Sequence, residues 1–557
     1  MPCTLTRSQA SGGPQYSNEG GALNHDLGAA EIDSYHRIQI APDNGRDFFG
    51  RGTPARGTLV AIEAIMRRAI VFFLVANVTV AQQPLFRVVD LDVGATERAQ
   101  LSDGKSATVR LLSTGETRDR VRSAIRDARV DVEINGASAT LSCGNYRLPV
   151  AVGSVQVDCE VTKAYYRDTN ADHWALVKDA RLRLWPAKSP YMPAGSFVYP
   201  VRQRWFATRT QMANEPTYVD DGESIGKRRI YYHSGLDIGG AEGMVNVLAA
   251  TSGLMVGVGK AVLDSEKDNA SLAPQHNDTI WVLDERGWYH RYTHLYSFDP
   301  SVKLGGRVDM GQKIGTLGKE GGSGGWSHLH YEILSRQASG RLGTLEGYAF
   351  LWEAYLRQYK PHVLAVARPH QAALVGEKVL LDGSRSYSDS RIARFEWTFT
   401  DGGHAPGQSV ERIYSQPGTY SEILKITDDR GHTDYDFETV NVLDPQHPEQ
   451  TPRSIQAAYW PTTSIAPGAS ITFKVRTFGT TDGEETWSFG DGASARTKSD
   501  GNVVPHAKNG FATTTHVFQK PGDYIVRVER VNRLGQRAIA HLFVRVGDGE
   551  GTTVAKR

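Results

Sequence analysis

At 557 residues, with 40% hydrophobic and 22% charged positions, the chain is long enough for three or four domains that each bury a core. A formal net charge of +1 excludes a general attraction to nucleic acid or to anionic membrane. The 57 glycines, with 23 tyrosines and 10 tryptophans, favour a turn-rich, mainly β architecture over helical bundles.

Residues 1–65 are rich in Gly, Ala and Ser without sustained periodicity, and read as a mis-annotated or disordered extension. Met66-Arg67-Arg68 then precedes an apolar run from Ala69 to Val80, closed by Ala81. A basic start, a short apolar stretch and a small final residue form a secretory signal peptide over 66–81, with translation starting at Met66. The run is shorter than the roughly 20 residues that span a bilayer. A buried strand or a membrane anchor is the bland alternative. Export to the periplasm or the exterior follows, with no stable membrane span after cleavage. No Cys follows the run, which argues against lipid anchoring.

Residues 84–185 carry alternating stretches such as VDVEI and RLRLW, and predict a β-rich N-terminal domain with one short helix near 117–128. Cys3 lies in the extension, so Cys143 and Cys159 remain as a pair. In an oxidising compartment they are expected to form a disulfide, the alternative being two buried thiols. Trp185-Pro186, Pro190, Pro193 and Gly195 mark a linker. The segment 196–360 holds the chemical candidates.

In HSGLD (233–237), Gly235 and the nearby Gly239-Gly240 argue against a helix, so His233 and Asp237 converge through a strand-to-loop bend. In HLHYE (328–332) a strand's period of two puts His328 and His330 on one face and Leu329 and Tyr331 on the other. RYTHLYS places His294 between the two strings, with His290 as a competing candidate four residues earlier and on the same strand face. Imidazole and carboxylate are both zinc ligands, and three protein ligands leave a coordination position open for water. Each fragment alone is weak; the set in this order is much stronger.

The order resembles the lysostaphin and LytM-type zinc metallopeptidase family. That family runs H-x-G-x-D, A-x-x-x-G-x-V, Y-A-H-L, G-x-x-I-G-x-x-G and H-L-H-F-E. This chain reads HSGLD, ATSGLMVGVG (250–259), YTHL (292–295), GQKIGTLG (311–318) and HLHYE. The resemblance implies an antiparallel β-sheet zinc peptidase over 196–360, with one Zn2+ per chain held by His233, Asp237 and His330. It implies His294 and His328 as the catalytic histidines, one of them the general base for metal-activated water. Glu332 stands as either a supporting group behind the metal or a structural residue. Three departures from the pattern touch no ligand: Tyr331 for the commoner Phe, Trp326-Ser327 before HLH, and a longer surface loop from Asp264 to Asp278. Non-enzymatic relatives usually lose ligands, and none is lost here. The implied substrate is the peptide of bacterial peptidoglycan. Two rivals are an extracellular protease on Gly-rich proteins and a non-catalytic wall-binding or regulatory protein.

Beyond 360 the chain repeats. FEWTFTDGG (395–403) and YSQPGTY (414–420) are answered by TWSFGDG (486–492) and VFQKPGDY (517–524), and Trp397 and Trp487 stand 90 positions apart. Short aromatic strands, Asp-Gly and Pro-Gly turns and alternating residues are β-sandwich grammar. Both units, 361–444 and 454–547, resemble the polycystic kidney disease (PKD) domain, an immunoglobulin-like sandwich, with Pro445, Pro448 and Pro452 between them. Thr400 replaces the usual glycine of the first copy's turn. They read either as rigid spacers or as modules binding substrate, polysaccharide or protein.

Overall fold

The structure, a computed structural model, describes residues 84–166, 173–218, 230–272 and 276–547. The expected extension (1–65) and export signal (66–81) lie outside the described residues. Among the described residues no helix is long and apolar enough to cross a membrane. The architecture is mainly β: an N-terminal pair of sheets, a central antiparallel sheet unit and two β-sandwiches.

The N-terminal region pairs two four-stranded sheets over a shared core of Val109, Leu111, Val130, Val132, Val157 and Leu182. VDVEI alternates as expected, with Val130, Val132 and Ile134 buried and Asp131 exposed. RLRLW differs, because Arg181 and Arg183 are as buried as the leucines beside them. Arg181 donates to Asp90 at 2.8 and 2.9 Å, and Arg183 to Asp158 at 3.1 and 2.6 Å. Arg183 also reaches the Glu346 carbonyl of the central unit at 2.6 Å. Buried charges persist only when paired in this way. The strand is thus covered on both faces, one of them by the neighbouring unit.

No helix forms at 117–128. The strands Ser106–Arg118 and Ile125–Ile134 run through that stretch as a hairpin, pairing Glu116 with Ala128 and Thr117 with Asp127. The Asp119 carboxylate accepts the Arg122 N–H at 2.8 Å and organises the turn. Cross-strand pairing has overridden a locally helix-compatible sequence.

Cys143 and Cys159 are joined as a disulfide, tying the end of one N-terminal sheet to the middle of the other. The bridge closes a loop with a sequence separation of 16. Reduction, or the double replacement of both cysteines by serine, is expected to lower unfolding stability by about 3 kcal/mol. Urea unfolding with and without reductant measures it.

The central unit carries a nine-stranded sheet whose principal order is Ala261–Val262, Gly253–Val258, Ile280–Leu283, Tyr289–Thr293, His328–Arg336, Leu236–Gly239 and Thr210–Gln211. Neighbouring strands are antiparallel. A smaller sheet of Asn246–Leu248, Lys313–Leu317 and Leu295–Phe298 lies beside it. Leu236, Ile238, Tyr292, Leu329, Tyr331 and Ile333 point into one core with the helix Tyr348–Tyr359. Residues of opposite parity on the same strands are left to the other face, where the polar candidates sit.

Each sandwich buries its repeated tryptophan, Trp397 at 1% and Trp487 at 0% exposure, so these rings are core and not ligand platforms. The second copy's turn uses Gly490 at φ +82°, where a side chain would strain the backbone. Thr400 takes that position in the first copy, its N–H and hydroxyl bound to Glu422 at 2.6 and 2.9 Å. Ala458, from the first strand of the second sandwich, belongs to the central unit's own core.

Candidate metal centre

Strand register assembles the site. Asp237 lies directly across from His330, and His330 directly across from Thr293, so three adjacent strands set the residues in one row. His233 enters from the bend after Ile230–Tyr232. That bend passes hard against His330: a Cβ on Gly235 would sit 2.5 Å from the His330 ring carbon Cε1. Gly235 is therefore required by close approach, which explains its place within HSGLD.

His233 Nε2, Asp237 Oδ1 and His330 Nδ1 form a triangle with sides of 2.9, 3.0 and 3.2 Å. Three lone-pair donors meet there, and His233 Nδ1 and His330 Nε2 behind them are buried without a hydrogen bond. Burial would raise the Asp237 carboxyl, but His233, His328 and His330 outweigh it and hold it well below the carboxylate range. Burial would likewise depress His330, yet the Asp237 and Glu332 carboxylates raise it to about 9. The triangle is thus built to favour positive charge at its centre, as a metal ion supplies.

Two further histidines border it. The His294 and His328 rings lie 4.7 Å apart, and His294 lies 6.1 Å from His330. His294 Nδ1 donates to the Glu320 carbonyl at 2.6 Å, and His328 Nδ1 to the Trp326 carbonyl at 3.1 Å. A carbonyl only accepts, so each Nδ1 carries a proton, which in the neutral tautomer leaves the lone pair on Nε2; at His294 the Asp278 carboxylate, 3.3 Å from Nδ1, favours the same arrangement. His328 Nε2 sits 3.5 Å from Asp237 Oδ2, at the edge of the triangle. Burial pushes His328 down to about 3, which leaves its ring neutral at physiological pH.

His294 stands just beyond its strand with φ 65°, a left-handed conformation uncommon for a side-chain-bearing residue. Asp278 holds it there, accepting the His294 N–H at 2.8 Å and the Thr293 hydroxyl at 3.1 Å. The sequence reading placed Asp278 only at the end of a surface loop and missed this role. Its signal was a carboxylate at a loop's end, which many surface loops share. Glu332 lies behind His330, 3.9 Å from Nε2, and accepts from the Thr344 hydroxyl at 2.6 Å.

His290 has a different fate. It is fully buried, with Nδ1 2.8 Å from the Tyr331 hydroxyl and Nε2 3.0 Å from Asp284. The expectation that it shares a strand face with His294 does not hold, because the left-handed turn at His294 breaks the alternation. His290→Ala is expected to cost about 1–3 kcal/mol for each partner left unpaired. Metal content should stay at the wild-type level, which denaturation and metal analysis together would establish.

Residues 231–341, which contain the triangle and both bordering histidines, match the family model of Peptidase family M23. The chain carries an M23 peptidase domain. Two matches to the PKD domain follow the M23 domain, at 360–442 and 456–546. Among solved structures, the catalytic domain of the prophage-encoded M23 protein EnpA from Enterococcus faecalis is 18% identical. It covers 29% of this chain and 95% of its own, with a TM-score of 0.17. Helicobacter pylori Csd3 is 14% identical over 44% of this chain and 81% of its own, with a TM-score of 0.19. The PKD domain from the KIAA 1837 protein is 25% identical over 14% of this chain and 85% of its own, with a TM-score of 0.13. The family assignment of the M23 domain rests on the sequence match and on the register that brings the motif residues together.

Proposed function

We propose that this chain is a secreted zinc-dependent endopeptidase that hydrolyses the peptides of bacterial peptidoglycan. The observation that carries the reading is the triangle of His233, Asp237 and His330 with two Nδ1-protonated histidines beside it. Tetrahedral zinc with bonds of 2.0–2.1 Å sets its ligand atoms about 3.3 Å apart. The observed edges of 2.9–3.2 Å are within about 0.4 Å of that, so the donor set fits the ion. The chemistry a bound zinc ion supplies is Lewis acidity, which makes water a nucleophile near neutral pH and polarises a carbonyl.

The chain's own residues do the rest. His233 Nε2, Asp237 Oδ1 and His330 Nδ1 would hold the ion, one per chain, and leave one face open. His294 and His328 offer Nε2 lone pairs beside that face; one accepts a proton from the attacking water, and the imidazolium so formed carries an Nε2–H that can then donate to the developing oxyanion. Asp278 fixes the His294 backbone, and Glu332 backs His330. The segment 66–81 supports export, where cell wall is within reach.

Purified peptidoglycan and an elastin-like Gly-rich protein, offered side by side, test the substrate. New amino termini from peptidoglycan alone are the expected result. Cleavage of the Gly-rich protein alone would overturn the wall assignment while leaving the peptidase intact.

A further inference from the structure

One loop of the M23 domain, residues 319–327, touches both the candidate catalytic histidines and the second sandwich. On its inner side it supplies the Glu320 and Trp326 carbonyls that accept from His294 and His328. On its outer side the second PKD domain grips it at four consecutive residues. Asn502 Nδ2 donates to the Gly324 carbonyl at 2.9 Å, and Arg476 Nη1 to the Gly325 carbonyl at 3.0 Å. Trp326 stacks on Phe478 with ring centroids 4.0 Å apart and planes 10° from parallel. The Gln456 side-chain amide pairs with Ser327 twice, donating to its carbonyl and accepting its N–H, each at 2.7 Å.

The contacts at Gly325 and Ser327 are buried, and the Trp326–Phe478 stack is half-buried. Gln456 and Ser327 are 2% and 0% exposed, and Arg476 is fixed by Asp500 at 2.8 Å on its far side. Gly325 has φ +87°, a conformation that favours glycine, and a Cβ there would lie 2.0 Å from Asn502 Oδ1 and 2.8 Å from Arg476 Nη1, so a side chain would displace both contacts. Nearby, Lys474 donates to the Glu242 carbonyl at 2.8 Å, and Glu242 also pairs with the buried Lys319 at the loop's start. The sandwich thus holds the loop's end directly and reaches its start only through Glu242.

We propose that the second PKD domain is a positioning element of the M23 site. By holding residues 324–327 through Gln456, Arg476, Phe478 and Asn502, it steadies the loop whose Trp326 carbonyl orients His328 and whose Glu320 carbonyl, together with Asp278, orients His294. The sandwich is then neither a spacer nor solely a binding module, and hydrolysis depends on its docking. Pre-organised acceptors are what keep each histidine's Nε2 free and directed, and displacement of a reacting group by 1 Å costs about a hundredfold in rate.

The inference rests on the proposed peptidase reading, so its test has an arm that needs no substrate. In the full chain, Phe478→Ala and Gln456→Ala are compared with Phe478→Tyr, which restores a stacking ring. Long-range nitrogen–proton NMR of selectively labelled histidines reports which ring nitrogen of His294 and His328 is protonated. Hydrogen–deuterium exchange reports the 319–327 backbone. Expected for both alanine variants are faster exchange in 319–327 and loss of the uniform Nδ1-protonated state, with zinc content unchanged and recovery in Phe478→Tyr. Where peptidase activity is present, kcat should fall about ten- to a hundredfold with KM little altered. Unaltered tautomers in both alanine variants would overturn the proposal, as would an unchanged kcat despite a loosened loop. Because the tautomer arm is independent of turnover, an inactive wild-type chain would defeat the peptidase reading alone.

Discussion

His330→Ala is expected to empty the metal centre. Two of three ligands would remain, His233 and Asp237, at opposite ends of the longest edge of the triangle, 3.2 Å. Loss of a partner outside the ligand shell typically costs about 10–100-fold in metal affinity, so loss of a ligand should exceed about 100-fold. Hydrolysis should fall with it. A graded companion separates the two layers: Glu332→Gln, which keeps a side chain of the same shape behind His330, should cost only about 10–100-fold in zinc affinity. Metal analysis after dialysis, with titration of zinc against a competing chelator, reads both. Equal zinc content in His330→Ala and the wild type would remove His330 from the ligand set.

The second large effect separates chemistry from metal binding. His294→Asn is expected to retain one zinc per chain and to lose about 10²–10⁴-fold in kcat, the usual contribution of general acid–base catalysis. Asparagine is preferred to alanine because it tolerates the left-handed backbone that φ 65° imposes at this position. Its shorter side chain would not present a basic nitrogen where the imidazole Nε2 lies. His328→Ala should behave alike in kcat and zinc content. A His294→Asn chain hydrolysing at the wild-type rate would remove His294 from the reaction.

Much of this site was legible in the sequence because strand geometry is simple. HLHYE needs only a period of two to put His328, His330 and Glu332 on one face, and Leu329 and Tyr331, both fully buried, answer it. HSGLD was legible through its glycine, whose missing side chain makes room for the His330 ring. Other features left no such mark. Asp278 acts through a fold that returns a loop's end to the His294 backbone, and no local pattern encodes that return. The Glu320 and Trp326 carbonyls are backbone atoms, so their role is independent of the side chains that a sequence displays. Trp326 was noticed as unusual, but its partner Phe478 lies in another domain. The alternation of RLRLW marks a strand, but alternation cannot show that a second unit covers its polar face. The false helix at 117–128 has the same origin: local propensity was favourable, and the hairpin partner decided otherwise.

The most direct test of the account is the release of new amino termini from purified peptidoglycan by the chain beginning at Gln82. It is measured as prepared, after a zinc chelator, and after restoring one equivalent of zinc. The expected result is release that the chelator abolishes and zinc restores, with none from His330→Ala. Release that persists in the chelator, or that His330→Ala matches, would contradict a metal-dependent peptidase built on His233, Asp237 and His330.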